Sequence, residues 1–187
     1  MQRRQFVFIL APTVAVAAAA ATWRSLDSEG GSGPMNRLPS TDDATASDTV
    51  KKLKKPHEEW RDLLTREEYR VLFEDRTERP HSSPLDKEKR AGTFICAACY
   101  LPLFDSAAKY DSRTGWPSFY AAIEGHVETK RDFKLIIPRT EYHCARCGGH
   151  QGHVFNDGPP PTGKRYCNNG VALRFIPSGT ALPALRS

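Results

Sequence analysis

The stretch "CARCGGHQGHVFNDGPPPTGKRYCNNGVALRF", residues 144–175, holds a Cys-x-x-Cys pair, two histidines, a proline run and one further cysteine. The runs "KRYC" within it and "VALRFI", which continues it to Ile176, are short, rich in β-branched and aromatic residues, and bounded by Gly, Pro and Asp clusters. The same texture appears upstream in "GTFICAAC" from Gly92 and "DFKLIIPRTEYHCARC" from Asp132. Such runs read as strands separated by turns. No long helical periodicity recurs after Pro80, so the expected body is mainly β and antiparallel.

Helical signals precede it. In "KKPHEEWRDLLTREEYRVLF", Pro56 suits a first turn, with Trp60, Leu63 and Leu64 on one face. Thr65 and Glu68 form a capping box that starts a second short helix through Tyr69, Leu72 and Phe73. Two short N-terminal helices are therefore expected. The tail after Pro177 reads as frayed.

The N-terminus is of another kind. "MQRRQFVFILAPTVAVAAAAATW" places Arg3 and Arg4 before an uncharged run from Phe6 to Ala21 that ends in A-x-A options. This is signal-peptide architecture, and the paired arginines resemble the twin-arginine signal that exports folded proteins. Export to a bacterial periplasm is expected. A membrane anchor, if the run stays uncleaved, and another targeting peptide are the alternatives. The expected division is an export signal over 1–23, a Ser/Gly/Asp-rich linker over 24–48, one domain over 49–179 and a tail over 180–187.

Composition narrows the class. With 39% hydrophobic and 26% charged residues the chain is globular in character. The net charge of +5 comes without a Lys/Arg stripe interleaved with aromatics, so no nucleic-acid partner is expected.

Two Cys-x-x-Cys turns, Cys96 with Cys99 and Cys144 with Cys147, can bring four sulfurs to one point and close a tetrahedron around zinc. The 44 residues between Cys99 and Cys144 exceed the roughly 15–20 of a compact zinc ribbon, so the metal would clamp distant strands of one domain. Disulfides and redox-active dithiols are the competing readings of the same four residues.

With those four in metal, Cys167 is the remaining thiol. A lone cysteine is usually a buried small hydrophobe. If "RYCNN" is extended, Arg165, Cys167 and Asn169 share one face. Arg165 would then favour the thiolate, and Asn169 would offer amide donors beside it. His150 and His153 read as core residues, ligands or proton donors. Since sulfur already supplies the metal, proton donation is favoured. Asp157 could fix a histidine. Trp116 lies between Gly115 and Pro117, on a stiff turn or in the core.

Together these pieces resemble the methionine-R-sulfoxide reductase family, MsrB. The matching stretches are "EEYRVLFEDRTERPHSSPL", "GTFICAACYLPLFDS", "GWPSFY" and the opening 144–175 segment, covering nearly everything from about residue 50 to residue 178. The resemblance implies two antiparallel sheets of the β-tent type and one structural zinc ion on Cys96, Cys99, Cys144 and Cys147. It implies reduction of the R epimer of methionine sulfoxide in oxidised proteins or peptides. By similarity Cys167 is the nucleophile, and Trp116 cradles the sulfoxide methyl group. His153, then His150, is the acid, beside Asn169, with Asp157 and Arg165 in support.

One departure matters. Where many members read "GCGWPSF", with a cysteine that resolves the sulfenic acid, this chain reads "RTGWPSF" with Thr114. The expected reductant is therefore external: a thioredoxin-like protein, a glutaredoxin or a small thiol. Asn168 and Gln151 replace apolar residues common at their family positions, and small effects on substrate preference are expected. The competing classes are a zinc-stabilised binding module and an exported dithiol oxidoreductase.

Overall fold

The computed structural model describes residues 50–132 and 139–187. The export-signal and linker readings lie outside these residues, as does the centre of the "DFKLIIPRT" run.

The first structured element is a single 3-10 turn, His57–Trp60, in place of the first expected helix. Pro56 offers no side-chain cap, and the chain bends again after Trp60. Trp60 and Leu64 are buried while Leu63 is exposed, so the three do not share a face. The second helix, α1 (Arg66–Phe73), begins at the expected capping box: Thr65 accepts from the Glu68 amide, and Glu68 accepts from the Thr65 amide. Its Tyr69, Val71 and Leu72 are buried.

Nine strands follow among the described residues: β1 (Gly92–Cys96), β2 (Pro102–Asp105), β3 (Lys109–Tyr110), β4 (Ser118–Phe119), β5 (Val127–Asp132), β6 (Arg139–Cys144), β7 (His150–Phe155), β8 (Arg165–Asn168) and β9 (Leu173–Pro177). They form two antiparallel sheets, one ordered β2-β1-β9 and the other β3-β4-β8-β7-β6-β5. The mainly β, two-sheet expectation holds, with one α-helix and 3-10 turns. The core between the sheets is aromatic: Phe104 stacks on Phe119 at 4.1 Å between centroids, and Phe94 meets Phe119 edge-on at 5.0 Å. Rings in such offset and edge contacts bury large area at low rotamer cost.

The tail is not frayed. The Arg186 amide donates to the Cys99 carbonyl at 3.0 Å, and its guanidinium lies over the Tyr100 ring at 4.2 Å. Arg146 donates to the Arg186 carbonyl, and Arg186 donates in turn to the Leu63 carbonyl at 3.2 Å. These bonds hold the tail on the first cysteine knuckle.

Candidate active site and sulfur cluster

Cys167 lies on β8, directly across the ladder from His153 on β7 and from Ser118 on β4. Directly opposed residues project to one face of a sheet, so thiol and imidazole share a side. The glycine between the two histidines makes this approach feasible. A Cβ on Gly152 would sit 1.9 Å from the Cys167 carbonyl oxygen.

Cys167, His153, Trp116, Phe155 and Asn169 line a small cleft of about 130 Å³. The larger grooves found among the described residues contain no cysteine. The Trp116 indole N–H donates to the Glu78 carbonyl at 3.3 Å. Gly115, at φ 86°, supplies the left-handed turn before it, and any side chain there would strike the His81 ring.

Asn169 is held at both ends. Its Oδ1 accepts from the Glu78 amide at 3.1 Å, and its Nδ2 donates to the Gln151 carbonyl at 3.0 Å. Glu78 is the hub of this corner, because its carboxylate also accepts from the amides of Gly170 at 2.5 Å and Val171 at 3.0 Å. Burial pushes the Glu78 carboxyl above the usual range, although those two amide bonds oppose it.

The histidines differ in setting. His153 Nε2 bonds Asp132 Oδ2 at 2.9 Å, an oxygen that also accepts from Arg139 at 2.8 Å. An ionised carboxylate only accepts, so this bond places the Nε2 proton toward Asp132 and leaves Nδ1 to exchange a proton elsewhere. His150 is buried behind it, with its ring 5.6 Å from that of His153. Its Nδ1 bonds Glu141 at 2.8 Å, and Lys130 pairs with the same Glu141 oxygen at 3.2 Å. Burial pulls the His150 pKa down, with Glu141 opposing.

Asp157 does not hold a histidine. It forms a two-pronged pair with Arg165, at 2.9 and 2.8 Å, and is otherwise exposed. Arg165 lies over the Phe155 ring at 4.3 Å. Burial pushes the Cys167 thiol above its ordinary value, while Arg165 and a hydrogen bond from Thr114 pull the other way. Arg165 thus favours the thiolate as expected, but desolvation outweighs it.

Asp132, Glu141, Arg139 and Glu78 are missing from the sequence reading. Each carboxylate meets its partner only through the fold, and Glu78 is 91 positions from Asn169. The one local signal was the placement of Asp132 and Arg139 at the facing ends of β5 and β6.

The four paired cysteines converge at the ends of β1 and β6 and in the turns after them. Their sulfurs all lie within 4.8 Å of one another, with Cys96–Cys147 at 3.7 Å and Cys99–Cys144 at 3.5 Å. A disulfide requires about 2.0 Å. Four sulfurs at about 2.3 Å from one zinc stand about 3.8 Å apart in a tetrahedron. The donor set and spacing therefore fit a closed tetrathiolate metal site. Hydrogen bonds among the thiols, those with Cys144 first, push Cys96 and Cys147 up and hold Cys99 down. A divalent cation would remove the penalty on ionising the first two.

Comparison with known proteins gives a consistent result. The SelR domain model matches residues 64–177. "Peptide methionine sulfoxide reductase MsrB" of Pseudomonas putida (strain W619) is 54% identical over 130 residues, covering 68% of this chain and 97% of that protein. The protein of that name from Bradyrhizobium diazoefficiens is 50% identical over 136 residues, covering 72% and 98%. The chain also resembles a solved Mis18 "Yippee-like" domain over 49% of its own length and 100% of that domain's, at 23% identity and a TM-score of 0.39. The chain belongs to the SelR-domain family of MsrB peptide methionine sulfoxide reductases.

Proposed function

We propose that the protein reduces the R epimer of methionine sulfoxide in peptides and proteins to methionine, repairing oxidised chains, with Cys167 as nucleophile. The observation that carries this reading is the cross-strand pairing of Cys167 with His153 in a cleft walled by Trp116. A sulfoxide oxygen is a weak base and a poor leaving group, so attack at sulfur needs a proton or strong hydrogen bonds at oxygen.

Arg165 and Thr114 stabilise the Cys167 thiolate, which attacks the sulfoxide sulfur. His153 acts in its doubly protonated form, keeping the Nε2 proton on Asp132 and giving the Nδ1 proton to the oxygen. Asn169 lends an N–H donor beyond the one held by Gln151. The methionine sulfur–oxygen bond breaks as its protonated oxygen passes to Cys167, the transient bond between the two sulfurs breaks with it, and methionine leaves Cys167 as sulfenic acid. The Trp116 indole takes the methyl group and sets epimer preference by shape. His150, buried on Glu141, positions His153 rather than meeting substrate.

Thr114 carries no sulfur, so an external thiol attacks the sulfenic acid and releases water. A second thiol then frees Cys167. A thioredoxin-like protein, a glutaredoxin or a small thiol fills this role. Cys96, Cys99, Cys144 and Cys147 hold one zinc ion, whose chemistry is structural: it fixes four thiolates and joins the two sheets. The "QRRQFVF" start supports export through a twin-arginine route.

The test is turnover of racemic peptide methionine sulfoxide with dithiothreitol, resolved by epimer, for wild type and Cys167→Ser. Consumption of the R epimer alone by wild type, and of neither by the variant, is expected. No turnover by folded, metal-loaded wild type would overturn the reading in favour of a binding module.

A further inference from the structure

Between the sulfur cluster and the cleft lie two side chains that the reaction does not use. Gln151 and Asn168 are both fully buried, at 0% exposure. Burying a carboxamide costs about 1–3 kcal/mol in protein measurements unless it is hydrogen-bonded, and an aliphatic side chain would fill either place without that cost.

Both amides are satisfied, and their bonds form a directed chain. Gln151 Nε2 donates to Cys96 Sγ at 3.5 Å. Gln151 Oε1 accepts from Asn168 Nδ2 at 3.4 Å, and Asn168 Oδ1 accepts from the buried Tyr142 hydroxyl at 2.6 Å. The backbone of the same two strands completes the link. The Gln151 carbonyl accepts from both the amide and the side chain of Asn169, at 2.8 and 3.0 Å. Asn168 Nδ2 also donates to the Asn169 carbonyl at 2.8 Å.

The orientation of the chain is fixed at the sulfur end. A ligand thiolate only accepts, so the amide N–H of Gln151 must face Cys96. Its oxygen must then face Asn168, whose own oxygen must face Tyr142. Reversing either amide would set donor against donor or acceptor against acceptor.

We infer that Gln151 and Asn168 are positioning residues that tie the catalytic strand to the metal centre, each end steadying the other. Gln151 supplies the outer hydrogen bond to a ligand sulfur. Asn168, next to the nucleophile, fixes the backbone from which Cys167 and Asn169 project. The inference rests on the four-thiolate reading of the cluster.

The test uses metal-loaded wild type, Gln151→Met, Asn168→Leu and the double variant. Three readouts are taken: metal transfer to excess chromogenic chelator, alkylation rate of Cys167, and the division of turnover between kcat and KM. Partners outside the ligand shell are typically worth about 10–100-fold in metal affinity, so Gln151→Met is expected to release metal at least about tenfold faster. Asn168→Leu is expected to speed release as well, although it touches no ligand, and to lower kcat with KM nearly kept. The double variant should be no worse than the more severe single one.

Metal release and Cys167 alkylation at wild-type rates in both single variants would overturn the inference and leave the pair as core filling. If Gln151→Met fails to fold, Gln151→Glu keeps the shape but sets a carboxylate oxygen against Cys96. Release at the wild-type rate in that variant overturns the inference equally. Wild type that binds no metal refutes the cluster reading itself, a result distinct from variants that merely match wild type.

Discussion

His153 stands directly opposite Cys167 in the β7–β8 ladder, with Asp132 2.9 Å behind its ring. If that histidine delivers the proton, its loss should disable sulfoxide reduction without disabling the thiol. His153→Ala is expected to lower kcat by about 10²–10⁴-fold. Alkylation of Cys167 by iodoacetamide should be little changed. Equal losses in both assays would show damage to the strand rather than a missing acid.

Thr114 is close enough to Cys167 to help pull its thiol down, so position 114 already neighbours that sulfur. After one turnover without reductant, wild type should carry one added oxygen and react with a sulfenic-acid probe. Thr114→Cys should instead lose two hydrogens, as the introduced thiol attacks the sulfenic acid and forms a disulfide with Cys167. Intact-mass measurement separates the two. A Thr114→Cys protein that stays sulfenic would refute the proximity.

Because burial pushes the Cys167 thiol up, its alkylation should keep rising with pH past the ordinary thiol range. Arg165→Leu should move the inflection higher still, since a cation that favours the thiolate is removed. The linkage has a definite sign. The folded state holds this proton more tightly than the unfolded chain. The stability so contributed is present below the ordinary thiol value and is lost as pH rises through the folded one. Unfolding midpoints compared between wild type and Cys167→Ser across alkaline pH should diverge in that window.

Glu78 accepts the amides of Gly170 and Val171, while its own backbone holds Trp116 and Asn169. Glu78→Ala orphans two amides, at about 1–3 kcal/mol each when buried, so a loss of about 2–6 kcal/mol is expected. Denaturant unfolding measures it. An effect near zero would mean that water replaces the carboxylate at no cost.

Metal removal should act on stability before chemistry. The sulfur spacing predicts one zinc per chain and five titratable thiols after denaturation without reductant. Prolonged chelation should lower the unfolding temperature and broaden the transition. Fewer than five thiols would point to disulfides in the paired cysteines.

Much of the architecture was legible because its signals are local. The Thr65–Glu68 box spans only one helical turn, and the strand runs carry their own β-branched and aromatic residues and turn punctuation. The four clustered cysteines were legible for the same reason. What escaped were contacts made by folding alone. Asp132, Glu141 and Glu78 look like ordinary surface acids until β5, β6 and the 3-10 turn after β8 are assembled around them. Leu63 and Leu64 misled because helical spacing presumes that the helix continues, and at Trp60 it does not. The tail misled because a short run broken by Gly179 and Pro183 carries no helix or strand signal, and nothing local shows the cation-on-ring contact between Arg186 and Tyr100. Gln151 and Asn168 were noticed only as departures, since nothing in a linear sequence shows two amides meeting across a core.

The pinned tail has a consequence for the lifetime of the sulfur cluster. Residues 180–187 act as a strap over the knuckle that carries Cys99, held there by the carbonyl–amide bond and by Arg146. Trimming that strap would turn a sealed turn into an open one. Under oxidising conditions the rate of cluster loss would then be set by how often the Arg186 contacts open. Ageing of the protein would then begin at this strap rather than at Cys167.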